Sequence, residues 1–212
     1  PHAAHLLKDL STVILDELHA MVTSKRGVLL SLALTRVATH APQARRIGLS
    51  ATVADPDALR AWLAPAGQPL VPLVMGQPGA APHIRILKSA ERVPWSGHSS
   101  LYAIPELYDE LKRAKLALIF VNTRSQAEMV FQSLWEANDD HLPIALHHGS
   151  LDVSQRRKVE AAMAEGRLRA VVCTSTLELG IDWGDVDLVI HVGAPKGSSR
   201  LLQRIGRSNH RL

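Results

Sequence analysis

The sequence predicts an α/β protein whose parallel sheets form two units, residues 1–88 and 101–212, with 89–100 as a linker. Three observations point there. Short apolar runs rich in Val, Ile and Leu alternate with amphipathic stretches of ten or more residues, the pattern of strand–helix–strand crossovers. Almost every apolar run ends in a polar turn. Between residues 64 and 100 the alternation is interrupted by Pro65, Pro69, Pro72, Pro78, Pro82 and Pro94, and the tract after Lys88 reads as a connection.

"TVILDE" reads as a buried strand, and Gly27 to His40 as a helix that turns Val28, Leu29, Leu32 and Val37 inward. "RIGLSAT" is a second strand. In "ADPDALRAWL", Asp55 can cap a helix and Pro56 takes its favoured first position. Short strands "LVPLVM" and "HIRIL" fit between the prolines. From Leu101 the order is helix "LYAIPELYDELKRA" with a bend at Pro105, strand "LALIFVNT", helix "SQAEMVFQSLWEAN" and strand "IALHHG". Helix "DVSQRRKVEAAMAEG", strands "RAVVCTS" and "DLVIHVG", and helix "SSRLLQRIGRSN" follow.

Composition is that of a globular chain, 46% apolar and 21% charged. No apolar stretch approaches the ~20 residues that span a bilayer, and no basic-then-apolar signal pattern opens the chain. The expectation is therefore no membrane partner and a cytoplasmic location. The single cysteine, Cys173, excludes an internal disulfide, suits a reducing cytoplasm and reads as a small core residue. A net charge of +4 and a pI near 9.5 favour an anionic partner. After Asp187 there are no acids, while Lys196, Arg200, Arg204, Arg207 and Arg211 follow, the last four spaced to form one helical stripe. A one-sign stripe calls for an anion, and phosphate suits guanidinium best. Beginning at Pro1 and stopping just after this stripe, the chain reads as a piece of a longer protein.

Ligands of open parallel sheets sit at the carboxyl ends of the strands. The residues expected there are Asp16 to His19, Ser50 to Thr52, Asn122 to Arg124, His147 to Gly149 and Thr174 to Thr176. Asp16 and Glu17 repel each other and lose hydration at a strand end unless a cation offsets them. An Asp-Glu pair so placed reads either as a capped, solvated loop pair or as the Walker-B arrangement, in which the first carboxylate would hold Mg²⁺ through its waters and the second would orient and deprotonate the attacking water. A metallohydrolase centre of Asp16, His19, His147 and His148 is an alternative, although HExxH is absent and carboxylates suit Mg²⁺ better.

The ordered set "DELH", "SAT", "FVNTR", "HHGSL", "TSTLELGID" and "QRIGRSNHR" resembles motifs II, III, IV, IVa, V and VI of superfamily 2 helicases. "DELHAMVTSKRG" resembles the Lhr branch, and "TLELGIDWGDVDLVIHVGAPKG" with "LLQRIGRSNHRL" is similar to bacterial ligase-associated DEXH-box DNA helicases. The resemblance implies two RecA-like units: the C-terminal part of a first, ATP-binding domain, incomplete at its N-terminal side, and a second domain truncated after motif VI. It implies ATP and Mg²⁺ as cofactors, with Asp16 at the Mg²⁺ shell, Glu17 as general base and His19 linking the γ-phosphate to the second domain. Ser50 and Thr52 would couple hydrolysis to domain movement. Gly180 and Asp182 would lie near the ribose and phosphates, and Gln203 and Arg204 would open motif VI. Arg207 would be the first arginine finger. Here the sequence departs from the common pattern, so that either His210 or Arg211 takes the second position. Thr123, Arg124, His148, Gly149 and Thr174 would hold a nucleic-acid backbone.

The implied activity is an ATP-dependent DNA helicase or translocase acting on single-stranded or tailed DNA in repair, with a DNA ligase and a nuclease as partners. An RNA helicase and a nucleic-acid-binding module without ATPase activity are the rivals. "SKRG" reads either as a DNA-backbone contact or as a basic surface turn. Trp95 and Trp183 read either as base-stacking platforms or as packing residues. No Gly-Lys-Ser/Thr occurs anywhere, so the phosphate-binding loop is missing. The 212 residues alone are therefore expected to hydrolyse no ATP.

Overall fold

A computed structural model describes residues 2–22, 24–50, 55–65, 67–76, 81–95, 100–177, 185–195 and 198–206. The chain folds as two units, Pro1–Ala80 and Ala81–Leu212.

In the first unit, α1 (His2–Leu7) precedes β1 (Thr12–Leu15), α2 (Leu18–Val22), α3 (Lys25–His40), β2 (Arg45–Gly48) and α4 (Pro56–Leu63). β1 and β2 pair in parallel with Leu15 opposite Gly48. Leu15, Leu18, Leu34 and Leu63 make the core. As the sequence predicts, Asp55 caps α4, accepting from the Ala58 N–H at 3.0 Å, with Pro56 opening the helix.

α3 faces the other way from its sequence pattern. Gly27 and Leu34 are buried and Leu30 packs against the core, whereas Val28, Leu29 and Leu32 are exposed. The rotation is set at Gly27, where an added Cβ would lie 1.9 Å from the Met21 carbonyl oxygen. Only glycine lets the two helices approach that closely. Ser24 accepts from the Gly27 N–H and donates to the Met21 carbonyl, so "SKRG" is a helix entry with exposed Lys25 and Arg26. Ile14 and Ile47, register partners on β1 and β2, are also exposed.

Neither "LVPLVM" nor "HIRIL" is a strand: residues 70–75 and 83–87 carry no ladder. Prolines lack the N–H a ladder needs. Residues 85–90 belong with the second unit, held on its first helix by Arg85–Glu110 and by Glu106, which accepts from the Ala90 N–H at 2.6 Å. That N–H holds the Glu106 carboxyl below its usual range. Trp95 is fully exposed, so it packs in no core.

In the second unit a short 3₁₀ turn (Leu101–Ala103) leads into α5 (Ile104–Arg113), with Pro105 in the first turn rather than at a bend. There its missing N–H is harmless. β3 (Ala117–Val121), α6 (Arg124–Glu136), β4 (Ile144–His147), α7 (Val153–Ala164), β5 (Ala170–Cys173), β6 (Leu188–Val192) and α8 (Ser198–Ile205) complete it. All pairings are parallel, in the order β4-β5-β3-β6. β3 is buried throughout, Ile119 and Val121 going to one core cluster and Leu118 and Phe120 to the other, the period of two that a strand covered on both faces shows. Cys173 is fully buried in the second cluster. Asp187, at the entry to β6, accepts from the backbone N–H groups of Lys115 and Leu116 at the entry to β3.

Candidate functional site

The pairing of β1 with β2 brings two predicted segments to one sheet end. Beyond the strands the ladder continues: the Leu49 N–H donates to Leu15 O at 2.8 Å and the Leu18 N–H to Leu49 O at 3.0 Å. Gly48 leaves room here for the Leu18 side chain, whose Cδ2 would lie 2.6 Å from a Cβ at that position. Asp16 is exposed, with Oδ1 accepting the Glu17 N–H at 2.8 Å. Glu17 has φ of +53°, a left-handed backbone that non-glycine residues rarely adopt. Its Oε2 lies 3.3 Å from His19 Nε2, and His19 Nδ1 lies 2.8 Å from Ser50 Oγ. Glu17, His19 and Ser50 thus form one chain of polar contacts, and Asp16 stands beside it facing solvent.

This arrangement fits Mg²⁺ held through water. Asp16 keeps acceptor capacity beyond its one hydrogen bond, and such an ion takes one or two carboxylates rather than a full protein cage. Among the described residues no group of three or more His, Cys, Asp or Glu is gathered for a metal. Both ring nitrogens of His147 are engaged, with Thr176 Oγ1 at 2.8 Å and Glu160 Oε1 at 3.1 Å, which leaves no lone pair for the alternative metallohydrolase centre.

In the second unit the sheet order sets the turns after β4, β5 and β3 side by side. Thr123 caps α6, accepting from the Gln126 N–H, and is exposed, as are Arg124 and Gly149. Arg124 Nη1 donates to Ser150 Oγ at 3.1 Å, joining two turns, and Nε lies 3.9 Å from Glu128. Thr174, part-buried, donates its N–H to His147 O at 3.3 Å, joining the third. His147 and His148 are both buried, although strand alternation sends only one inward, because β4 ends at His147 and the chain turns. His148 Nε2 is 3.4 Å from Glu128 Oε1, close enough for charge but not aligned as a hydrogen bond.

Motif VI divides. Arg200 is exposed and Gln203 part-buried, but Arg204 is 1% exposed, so the stripe is not one solvated face. The Arg204 guanidinium lies 4.7 Å from the centre of the Phe120 ring, and Nη1 is 3.4 Å from His191 Nδ1. Burial and then the Arg204 charge push the His191 pKa down to about 4. Thr52, Gly180, Asp182, Trp183, Arg207, His210 and Arg211 lie outside the described residues. Sequence reasoning placed Thr176 in these turns without its bond to His147, and missed Glu160 and Glu128 as their partners. An acid on an amphipathic helix reads as solvated, and only the tertiary placement shows otherwise.

A parallel-sheet α/β chain with an acid pair, a hydroxyl-linked histidine and polar turns at the carboxyl ends of its strands has the makings of a nucleotide-driven enzyme. The chain belongs to the helicases: it matches the helicase conserved C-terminal domain over residues 100–211 and the DEAD/DEAH box helicase over residues 2–60. Within them it is similar to ATP-dependent helicase Lhr-Core protein 2 of Thermococcus barophilus, 37% identical over 100% of this chain and 25% of that one. It is also similar to Lhr helicase/uracil glycosylase of Escherichia coli, 34% identical over 99% of this chain and 17% of the relative. The solved structure of Mycobacterium smegmatis helicase Lhr bound to ssDNA and AMP-PNP superposes with a TM-score of 0.77 at 37% identity, covering 99% of this chain and 28% of that one. The chain spans about a quarter or less of the curated relatives it matches. Its structural neighbours are RecA-like helicase domains.

Proposed function

We propose that this chain supplies the acid pair, the coupling turn and the strand-gripping turns of an ATP-dependent DNA helicase or translocase that acts on single-stranded or tailed DNA in repair. The observation that carries the reading is the end of β1. There a glutamate in a left-handed backbone, φ +53°, is 3.3 Å from a histidine that also reaches the SAT serine at 2.8 Å. Strain of this kind at a half-buried acid persists where chemistry needs the side chain in that place.

In this reading Glu17 is the general base and Asp16 holds Mg²⁺ through water; the ion, when bound, neutralises charge on the β- and γ-phosphates. Hydrolysis changes what Glu17 and His19 face, and the Ser50 hydroxyl carries that change to the SAT turn. Thr52, Gly180, Asp182, Gln203, Arg207 and Arg211 keep the roles the motifs imply. Arg204 serves by anchoring α8 on Phe120, leaving its neighbours in motif VI to meet phosphate. Thr123, Arg124, Gly149 and Thr174 hold the nucleic-acid backbone, and backbone contacts of this kind bind without reading sequence. DNA is preferred because the relative of known structure at 37% identity holds ssDNA. A ligase and a nuclease as partners, and a cytoplasmic, nucleoid-associated location, belong to the same reading.

The test is ATP hydrolysis by the full-length protein with and without single-stranded DNA, beside Glu17→Gln. DNA stimulation of the wild type and loss of ~100-fold or more in the variant support the motor, the size expected when a general base is removed. Stimulation by RNA and not by DNA supports the RNA helicase. No response to either supports a binding module.

A further inference from the structure

We propose that Thr176, His147 and Glu160 form a positioning relay that sets the turn carrying Thr174, so that the second unit's grip on nucleic acid depends on a hydrogen bond two residues from the contact. The proposal rests on the reading of Thr174 as a backbone contact. His147 closes β4 and is 1% exposed. It touches the turn after β5 at three points, one of them the 3.3 Å approach of Thr176 Oγ1 to its carbonyl oxygen. Its carbonyl oxygen accepts the Thr174 N–H at 3.3 Å, and its ring Nδ1 lies 2.8 Å from Thr176 Oγ1. The other ring nitrogen, Nε2, is 3.1 Å from Glu160 Oε1 on α7.

The proton positions follow from the partners. A carboxylate only accepts, so Nε2 carries the hydrogen and donates to Glu160. The neutral ring then offers a lone pair at Nδ1, and the Thr176 hydroxyl donates into it. Thr176 has one proton, and the 2.8 Å contact takes it in preference to the His147 carbonyl 3.3 Å away. Hydroxyl, imidazole and carboxylate in this order also compose a nucleophilic triad. Here the ring is sealed and the hydroxyl faces a carbonyl oxygen, an acceptor where a developing oxyanion needs donors. The relay therefore holds rather than reacts. Without the Thr176 hydroxyl, the contacts between His147 and this turn reduce, among the described residues, to the 3.3 Å bond from Thr174, at the long end of the range.

The experiment uses the full-length protein, with single-stranded DNA binding by fluorescence anisotropy and DNA-stimulated ATP hydrolysis as readouts. Two isosteres separate the arms of His147: asparagine puts an amide oxygen where Nδ1 sits, and glutamine puts an amide N–H where Nε2 sits. Thr176→Val and His147→Gln are expected to raise the DNA concentration for half-maximal ATPase about five- to tenfold, the loss of one positioned hydrogen bond. Thr176→Ser and His147→Asn, which keep the Thr176–Nδ1 contact, stay within about twofold of the wild type for DNA. Thermal melts report whether each variant folds, and if Thr176→Val does not, the Asn/Gln pair decides. Equal behaviour of His147→Asn and His147→Gln overturns the relay. So does full DNA affinity in Thr176→Val beside a weakened Thr174→Val. Full affinity in Thr174→Val instead removes the reading of Thr174 on which the relay rests, and the proposal with it.

Discussion

Lowering the pH from 7 to 5 is expected to destabilise the second unit by about 1 kcal/mol through His191 alone. The ring's ordinary pKa of 6.5 falls to about 4 in the fold, because burial disfavours the imidazolium and the Arg204 guanidinium repels it. Between those two values the unfolded chain binds the proton and the folded chain does not, so stability rises with pH. The contribution is fully present above 6.5 and is lost as the pH falls toward 4. At ~1.4 kcal/mol for each pH step the whole difference amounts to about 3 kcal/mol. Water reaches part of the ring and screens it, so about half is expected, most of it lost below pH 6. The assay is urea unfolding followed by circular dichroism at pH 7, 6 and 5, wild type against His191→Asn. Taking the difference cancels His147, whose pKa burial also lowers, and the lowered carboxyls of Glu106, Asp109 and Asp152, which act at more acid pH. Parallel stability–pH curves for the two proteins refute the reasoning, as does an NMR titration of His191 with a midpoint at or above 6.5.

Gly27→Ala is expected to destabilise the first unit by about 2 kcal/mol or more in a thermal melt. Helix propensity alone favours alanine by about 1 kcal/mol, but the new Cβ would meet the Met21 carbonyl at 1.9 Å and force the helices apart. Ser50→Ala removes the partner of His19 Nδ1; in the full-length protein ATP hydrolysis is expected to stay within a few-fold while strand separation falls by tenfold or more. Arg124→Gln is expected to weaken DNA binding at all sequences and to flatten the plot of log affinity against log salt by about 0.7, the share of one phosphate contact on a single strand. The 212-residue chain by itself is expected to show no DNA-stimulated ATP turnover in a coupled assay, because it contains no Gly-Lys-Ser/Thr.

The second unit was largely legible from its sequence because its signals agree with one another. Apolar strands such as "LALIF" are too hydrophobic for anything but a doubly covered sheet, and Thr123 and Asp152 cap the helices they precede. Helix α7 even stops where a glycine permits it, at Gly166 with φ +66°. The first unit read less well. Val28, Leu29 and Leu32 have a helical core spacing, yet the orientation of α3 is decided by one missing Cβ at Gly27, a tertiary contact that periodicity does not carry. At the site, the sheet-end placement of Asp16, Glu17 and Ser50 followed from strand ends alone. The burial of Arg204 did not, because a charged side chain is almost never fully buried, and only the tertiary fold sets the Phe120 ring beside it.

Glu17 has a consequence for how this protein would drift. A backbone at φ +53° is most comfortable for glycine and tolerable for asparagine, so the acid occupies the position against local preference. A library of variants selected only for thermal resistance, with no demand on ATP turnover, is expected to replace Glu17 by Gly or Asn early. Lineages that must still turn over ATP are expected to keep the acid and find their stability elsewhere.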